Sequence, residues 1–235
     1  MKKNTLRSNL GASVILACGL AITGSIMALG IIKAKQSDRY VAVKGLAERP
    51  VSANQGTWKI SFDSFGDNLE KAIMQNSNDR KQVLDYLMQS GIKKQDIRPG
   101  MPRVQDRSNY QTAKISFAVS DSVVIVSKEV GTIQDVARNS GELLTRGVAL
   151  SGWDNPQYFF TNLSSIKPKM IEEATQDARK AAEKFAQDSQ SKVGSIRHAS
   201  QGYFSFKGES SGVPEREQIQ KIARVVISVD YLISD

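Results

Sequence analysis

A long uncharged segment near the amino terminus separates this chain into two parts of different character. After three basic residues, the segment Ser8–Ile32 contains no charged side chain. As a helix rising about 1.5 Å per residue, such a segment is longer than the roughly 30 Å core of a bilayer. The sequence therefore predicts a transmembrane signal-anchor in residues 1–35 that contacts the membrane through residues 8–32. A folded domain is expected in residues 36–235.

Two alternatives remain open for the apolar segment. A cleaved signal peptide usually has an apolar region of about 7 to 15 residues, which is shorter than the one here, but Ala28–Gly30 offers a cleavage site. The tetrapeptide Ile15–Cys18 resembles a lipoprotein box, although the residues after it stay apolar. Basic residues flank both ends of the segment, so the distribution of positive charge does not determine its orientation in the membrane. We therefore assume the usual orientation of a single amino-terminal anchor. We expect a single-pass protein of the cell inner membrane whose domain faces the periplasm or the cell exterior.

Cysteine content and charge exclude several classes of function for the domain. Cys18 is the only cysteine and lies inside the predicted anchor, so the domain has no disulfide, thiol nucleophile or cysteine metal ligand. The formal net charge of +8 includes the three basic residues before the apolar segment. The domain is therefore only mildly basic, and it lacks a basic run with interleaved aromatic residues. No nucleic-acid partner is expected.

Alternating apolar and polar residues predict strands with one buried face. The apolar residues of three such segments are Trp58, Ile60 and Phe62; Ala113, Ile115, Phe117 and Val119; and Val225, Ile227, Val229 and Tyr231. The continuous run Ser122–Ser127 is more typical of a strand buried on both faces. Loops are predicted at Arg98–Asn109 and Phe206–Glu217, which are rich in glycine, serine, proline or charge.

Three segments have helical periodicity. The first carries apolar residues from Leu69 to Leu87 and ends at Gly91, a plausible carboxyl-terminal cap. The second spans about Thr132–Arg146, and the third follows Pro168, which is expected in the first helical turn. Strands with one polar face are typical of antiparallel sheets. We therefore expect an α+β fold, a mainly antiparallel sheet packed by about three helices and preceded by one N-terminal transmembrane helix.

The segment Tyr158–Phe185 combines an aromatic cluster with an alanine-rich helix. The helix has a mostly alanine face that includes Ala178, and such a face allows a close approach to a sheet. Before it lies a cluster of aromatic residues beside amide side chains, consisting of Trp153, Tyr158, Phe159 and Phe160. We expect this cluster to form a core strand first, and a contact between subunits or a small-ligand site are the alternatives in that order.

Several motifs resemble the SIMPL-domain family, a domain of unknown function. They are "VKGLAERPV" at Val43–Val51, "DARKAAEKFA" followed by "SKVGSI" around the third helix, and "ARVVISVDYLI" near the end. The resemblance covers roughly Tyr40–Leu232. It implies an exported or membrane-anchored α+β domain able to form large homo-oligomeric rings. The family is loosely linked to oxidative stress tolerance and antigenicity, and it supplies no catalytic residue to carry over.

Residues with catalytic chemistry are scarce. His198 is the only histidine, so a histidine-rich metal site is impossible, and no serine lies in a nucleophile-elbow motif. Arg80 and Asn76 interrupt the apolar face of the first helix. Arg80 is expected either to reach past the core to solvent or to pair with a carboxylate of another subunit. No metal, cofactor or catalytic residue is predicted.

Two classes of function follow from these observations. The first is an anchored, non-catalytic envelope protein that assembles with itself and has an envelope or stress-related role. The second is a periplasmic binding module that uses Trp153 to Phe160 for a hydrophobic or peptidic ligand. Candidate contact residues for either class are Trp153, Tyr158, Phe159, Phe160 and Arg80.

Overall fold

The computed structural model describes residues 16–29, 39–107, 116–152 and 154–234. The strands are β1 (Tyr40–Ser52), β2 (Gln55–Gly66), β3 (Ile97–Pro99), β4 (Arg103–Asp106), β5 (Phe117–Ser127), β6 (Gln157–Phe159), β7 (Lys192–Gly208) and β8 (Gln220–Ser234). The helices are α1 (16–29), α2 (Leu69–Gln89), α3 (Val130–Arg138), α4 (Gly141–Thr145) and α5 (Leu163–Asp188). One sheet has the order β1-β8-β7, and the other has the order β3-β5-β2-β6 with β4 paired to β5. The expected α+β class is confirmed.

The described chain forms two compact units. The first unit contains the described residues of Met1–Ala47, Lys169–Tyr203 and Val225–Asp235, and the second unit those of Glu48–Pro168 and Phe204–Arg224. The chain therefore passes from one unit to the other several times, within β1, α5, β7 and β8. Residues far apart in sequence thereby build each core.

In the first unit, α5 packs on β1 through very small side chains. Met170, Ala174, Ala178, Ala182 and Ala186 recur every four residues on α5, and all are buried. A Cβ atom added to Gly45 of β1 would lie 1.9 Å from the carbonyl oxygen of Ala174 and 2.8 Å from the Cβ of Ala178. Only glycine fits at this distance, so the close approach expected of the alanine face is confirmed.

The strands β7 and β8 of this sheet run in opposite directions. Gly194 lies against Leu232, and eight residues later Gly202 lies against Val226. One residue number rises while the other falls, which is the pattern of an antiparallel pair. The pairing of β7 with β8 is therefore antiparallel, as expected for the strands of this fold, although the sequence alone does not indicate that these two strands pair.

In the second unit, β2 and β5 form an antiparallel pair with Ile60 opposite Val123 and Phe62 opposite Asp121. The buried residues of both strands contribute to one apolar cluster with α2 and α3. The amide of Gly91 donates to Met88 and that of Ile92 to Leu87. With φ of +90° at Gly91, this is a Schellman cap, so the predicted end of α2 is confirmed.

Three local expectations are wrong. Val124 and Val126 are only partly buried, because α2 covers one face of β5, so the Ser122–Ser127 run is not buried on both sides. The second helix is interrupted between α3 and α4, at Asn139 and Ser140, residue types that favour caps over helix interiors. Pro168 lies beyond the first turn of α5, because that helix already begins at Leu163.

The predicted loops and the predicted anchor have mixed outcomes. The segment Arg98–Asn109 contains β4, and β7 continues to Gly208 inside the segment expected to be a loop. Residues 16–29 are helical, and the rest of the predicted anchor lies outside the described residues. Within the described part of the chain, no helix combines the length and the apolar character that a membrane crossing requires.

Candidate functional site

The aromatic segment divides into a core residue and two partly exposed residues. Tyr158 on β6 is 3% exposed and belongs to the apolar cluster of the second unit. Burial raises the pKa of its hydroxyl. Phe159 and Phe160 are partly buried, and the Phe160 ring lies 6.0 Å from that of Phe206 at an interplanar angle of 53°. Trp153 lies outside the described residues, so the four predicted aromatics do not form one exposed surface within them.

A cavity of about 400 Å³ adjoins the start of this segment. The Trp58 indole donates to the carbonyl oxygen of Asp154 at 2.8 Å, which holds the segment against β2. The lining mixes apolar and polar groups, namely Trp58, Lys59, Ile60, Ser61, Ala137, Ser140, Gly141, Leu144, Leu150, Gly152, Asp154, Asn155 and Pro156. Its volume lies within the range of small-molecule sites.

Arg80 on α2 forms an ion pair inside its own chain. Its Nε donates to Asp121 Oδ2 at 2.8 Å, and its Nη2 lies 2.7 Å from the same oxygen. The Asp121 side chain is fully buried, whereas that of Arg80 is 29% exposed. Arg80 therefore reaches solvent while compensating a buried carboxylate on β5. The sequence reasoning considered only solvent or another subunit for Arg80 and missed the partner within the chain.

A second polar group lies where α2 packs on β2. Ser64 donates to Asp79 Oδ2 at 2.6 Å, and Gln75 donates to Asp79 Oδ1 at 2.7 Å. Asn76 is buried, and its amide nitrogen has no hydrogen-bond partner among the described residues. Sequence reasoning missed Ser64 and Asp79. The sequence does indicate that Asp121 is buried, because Asp121 alternates in step with the apolar residues Val119, Val123 and Ile125.

These polar groups fit a structural role better than a catalytic one. The Ser64 hydroxyl is bonded to a carboxylate and is buried, so a substrate could not reach it. His198 lies on β7 and is exposed. Among the described residues, no group of three or more histidine, cysteine, aspartate or glutamate side chains could hold a metal ion.

The two edges of the three-stranded sheet are unequal. On β1, the Leu46 amide donates to the Asp177 carboxylate at 2.9 Å, and Pro50 has no amide hydrogen to offer. On β7, none of the 17 residues is buried, and Tyr203 is 98% exposed. No described strand pairs with the outer side of β7. Within the described ranges, β7 is therefore an open edge strand of its sheet, of the kind that can pair with another strand.

Comparison with known proteins gives one family. Residues 41–229 match the SIMPL family model, described as a protein of unknown function (DUF541). No curated protein matches the chain. The matched range includes parts of both units, all of β7 and the residues that line the cavity beside Trp58.

Proposed function

The chain belongs to the SIMPL family, and from this premise we propose that it is a membrane-anchored, non-catalytic domain outside the cytoplasm that assembles with copies of itself through β7. The observation that carries the proposal is the open edge of this long strand. An envelope or stress-related role fits an anchored assembly of this kind.

The physical argument starts from the cost of leaving a strand edge unpaired. A strand at a sheet edge presents a row of amide and carbonyl groups that templates pairing with another chain. Soluble proteins usually shorten such an edge, cover it or place charges on it. Here β7 has 17 residues and exposes Ile196 and Tyr203, two large apolar side chains. A second strand would use the backbone groups and bury part of this apolar surface.

The identity of the second strand follows from the other edge. The Asp177 carboxylate already occupies the Leu46 amide of β1, so β1 is a poor acceptor for a new strand. The best partner for β7 is therefore β7 of a second copy, paired antiparallel about a two-fold axis. Such an interface uses the same surface on both copies and is closed, so larger assemblies would need a second contact.

The anchor and the orientation rest on the sequence. The uncharged segment Ser8–Ile32 is long enough to cross a bilayer as a helix, and its residues 16–29 are helical. An amino-terminal anchor of this kind normally leaves the following domain outside the cytoplasm. Anchored copies would meet in one plane, which favours pairing by raising their local concentration.

The assembly proposal is tested by adding charge to β7. In the double variant Ile196→Lys and Tyr203→Lys, the exposed apolar side chains of β7 are replaced by lysines, a residue type that discourages pairing at strand edges. Light scattering of detergent-solubilised full-length protein should give a lower mass with an unchanged melting temperature. The matched control Met74→Lys also replaces an exposed large apolar residue, on α2, and should keep the parental mass. Unchanged mass in the double variant would refute assembly through β7.

The anchor proposal has a separate test. A reporter that is active only outside the cytoplasm, fused after Asp235, should be active. Protein purified from membranes should keep its original amino terminus. Recovery of a soluble form whose amino terminus lies near Ile31 would support export and contradict the anchor.

A second candidate function is ligand binding in the cavity beside Trp58. Its volume of about 400 Å³ and its mixed lining support a hydrophobic or peptidic ligand. The two functions differ in solution. A monomer at all concentrations whose melting temperature rises with a peptide mixture would favour binding, whereas a fixed oligomer without added ligand favours assembly.

A further inference from the structure

One face of the sheet in the second unit is polar although it belongs to strands with an apolar core face. On β2, Lys59, Ser61 and Asp63 alternate with the core residues Trp58, Ile60 and Phe62. The register places Ser122 opposite Ser61 and Ser120 opposite Asp63, and Arg103 of β4 lies opposite Ser120. Asp63, Ser120 and Arg103 thus form one row across three adjacent strands.

This face lines a cavity of about 560 Å³. Two chain segments border it and are tied to the strands, since the Gly100 amide donates to Ser122 O at 2.7 Å and the Ser151 amide to Ser61 O at 2.8 Å. The lining residues are Lys59, Ser61, Asp63, Met101, Arg103, Ser120, Asp121, Ser122, Ser151 and Gly152. The cavity shares Lys59, Ser61 and Gly152 with the cavity beside Trp58.

Among the described residues, most polar side chains of this lining have no partner within the fold. In the described ranges, Lys59, Arg103 and Asp63 make no ion pair. Over the same ranges, the side-chain hydroxyls of the four lining serines make no hydrogen bond. Asp121 differs, because Arg80 on the other face already pairs with it. Two cations, one carboxylate and four hydroxyls therefore line this cavity without a partner in the described part of the chain.

We propose that this cavity binds a small anionic carbohydrate, a sugar unit that carries a carboxylate or a phosphate. Lys59 and Arg103 supply positive charge for the anion, and charge-assisted hydrogen bonds of this kind are stronger than neutral ones. Asp63 only accepts hydrogen bonds when ionised, so it requires donor hydroxyls on the ligand. The serine hydroxyls both donate and accept, which matches the hydroxyls of a sugar. The volume suits a ligand of this size.

The chemistry of the cavity disfavours two simpler ligands. A bare inorganic anion would be repelled by Asp63 and would lack the several hydroxyls that could pair with the serines. An apolar ligand would leave the lysine, the arginine and the hydroxyls desolvated without partners, which costs free energy for each group. This inference concerns a surface other than β7 and does not depend on self-assembly.

The first test compares probes on the full-length protein in detergent by isothermal calorimetry. Glucuronate and glucose 6-phosphate should bind, while glucose and inorganic phosphate should each bind at least tenfold more weakly. Equal binding of inorganic phosphate and the sugar anions would overturn the carbohydrate assignment. Binding of a free amino acid in preference to both sugar anions would also overturn it, as would the absence of binding by either sugar anion at millimolar concentration.

The second test uses variants that keep the fold. Lys59→Gln and Arg103→Gln should each weaken glucuronate binding about tenfold or more, because each loses a charge-assisted hydrogen bond. Asp63→Asn should bind inorganic phosphate more tightly than the parent, because a negative charge is removed. Lys81→Gln, an exposed lysine on α2 outside the cavity, is the matched control and should bind glucuronate like the parent. Equal affinity in Lys59→Gln, Arg103→Gln and the control would overturn the site.

Discussion

The β1 side and the β7 side of the same three-stranded sheet show opposite uses of a strand. On the β1 side, α5 approaches so closely that Gly45 cannot carry a side chain, and Asp177 occupies the amide of Leu46. On the β7 side, no residue is buried, and the outer backbone groups face no described strand. The sheet therefore packs tightly against α5 at its β1 edge, whereas its β7 edge remains open, and we infer that the β7 edge serves association with another chain.

The α5 helix produces this asymmetry through its alanine face. Alanine at every fourth position from Ala174 to Ala186 gives a smooth surface that packs against β1 with little space between the backbones. A helix with larger side chains on this face would have to stand farther from the strand. We infer that stability resides on the β1 side and that substitutions there cost far more than substitutions on β7.

The largest effect is expected for Gly45→Val. A branched side chain would be placed where even a Cβ atom would lie 1.9 Å from a backbone oxygen of α5, so helix and strand must separate. We expect a loss of more than about 4 kcal/mol, or no folded protein. The matched change Ala199→Val on exposed β7 should cost less than about 0.5 kcal/mol. Denaturant unfolding measures both, and similar losses would contradict the comparison.

A smaller effect is expected for Ala178→Leu. Ala178 is fully buried at the centre of the α5 face, and adding carbon atoms there overpacks the contact, at a cost of typically about 1 to 3 kcal/mol. Gln176→Leu adds similar bulk on the exposed side of the same helix and should cost little. Equal melting temperatures for the two variants would refute the close-packing account.

Removing the carboxylate that closes the β1 edge should have a modest effect on stability. Asp177→Ala frees the Leu46 amide, and losing one exposed hydrogen bond costs about 1 kcal/mol. The more informative readout is mass, because an opened β1 edge becomes a second pairing site. Light scattering should detect larger species than the parent forms. An unchanged mass distribution would show that Asp177 does not protect this edge.

The smallest effect is expected for His198→Gln on β7. The side chain is exposed, and we assign it no chemistry, so melting temperature should stay within error. The variant should also complement any phenotype of a deletion strain. A folded variant of normal abundance that fails to complement would revive an enzymatic interpretation.

Sequence reasoning reached the features that depend on local pattern. Alternation located β2 and β8, helical periodicity with Gly91 located α2 and its end, and the alanine spacing located the buried face of α5. Each of these signals lies within about twenty consecutive residues. Over such a short segment, the spacing of the hydrophobic residues indicates which side of the helix or strand is buried.

The remaining features depend on partners far apart in the chain. The exposure of β7 could not be predicted, because "KVGSIRHASQGYFSFKG" has no clean alternation and its edge position depends on the strand order. The partner of Arg80 lies 41 residues away on β5. The polar cavity combines residues from β2, β4 and β5 with Ser151, so no single motif could indicate it.

A cysteine scan along β7 tests the central claim most directly. Cys18→Ser removes the only natural cysteine, so single cysteines can then be placed along β7 from Lys192 to Lys207, with Lys44→Cys on β1 as the control. Gly194 and Gly202 are left unchanged, because an added Cβ atom there would lie close to a backbone oxygen of β8. In an antiparallel pair about a two-fold axis, only the residue at the axis faces its own copy, within the roughly 5.5 Å Cα separation that a disulfide spans. The account predicts one sharp maximum of cross-linked dimer along β7 and none at Lys44→Cys. An oligomeric protein with no maximum on β7, or with its maximum at the β1 control, would contradict it.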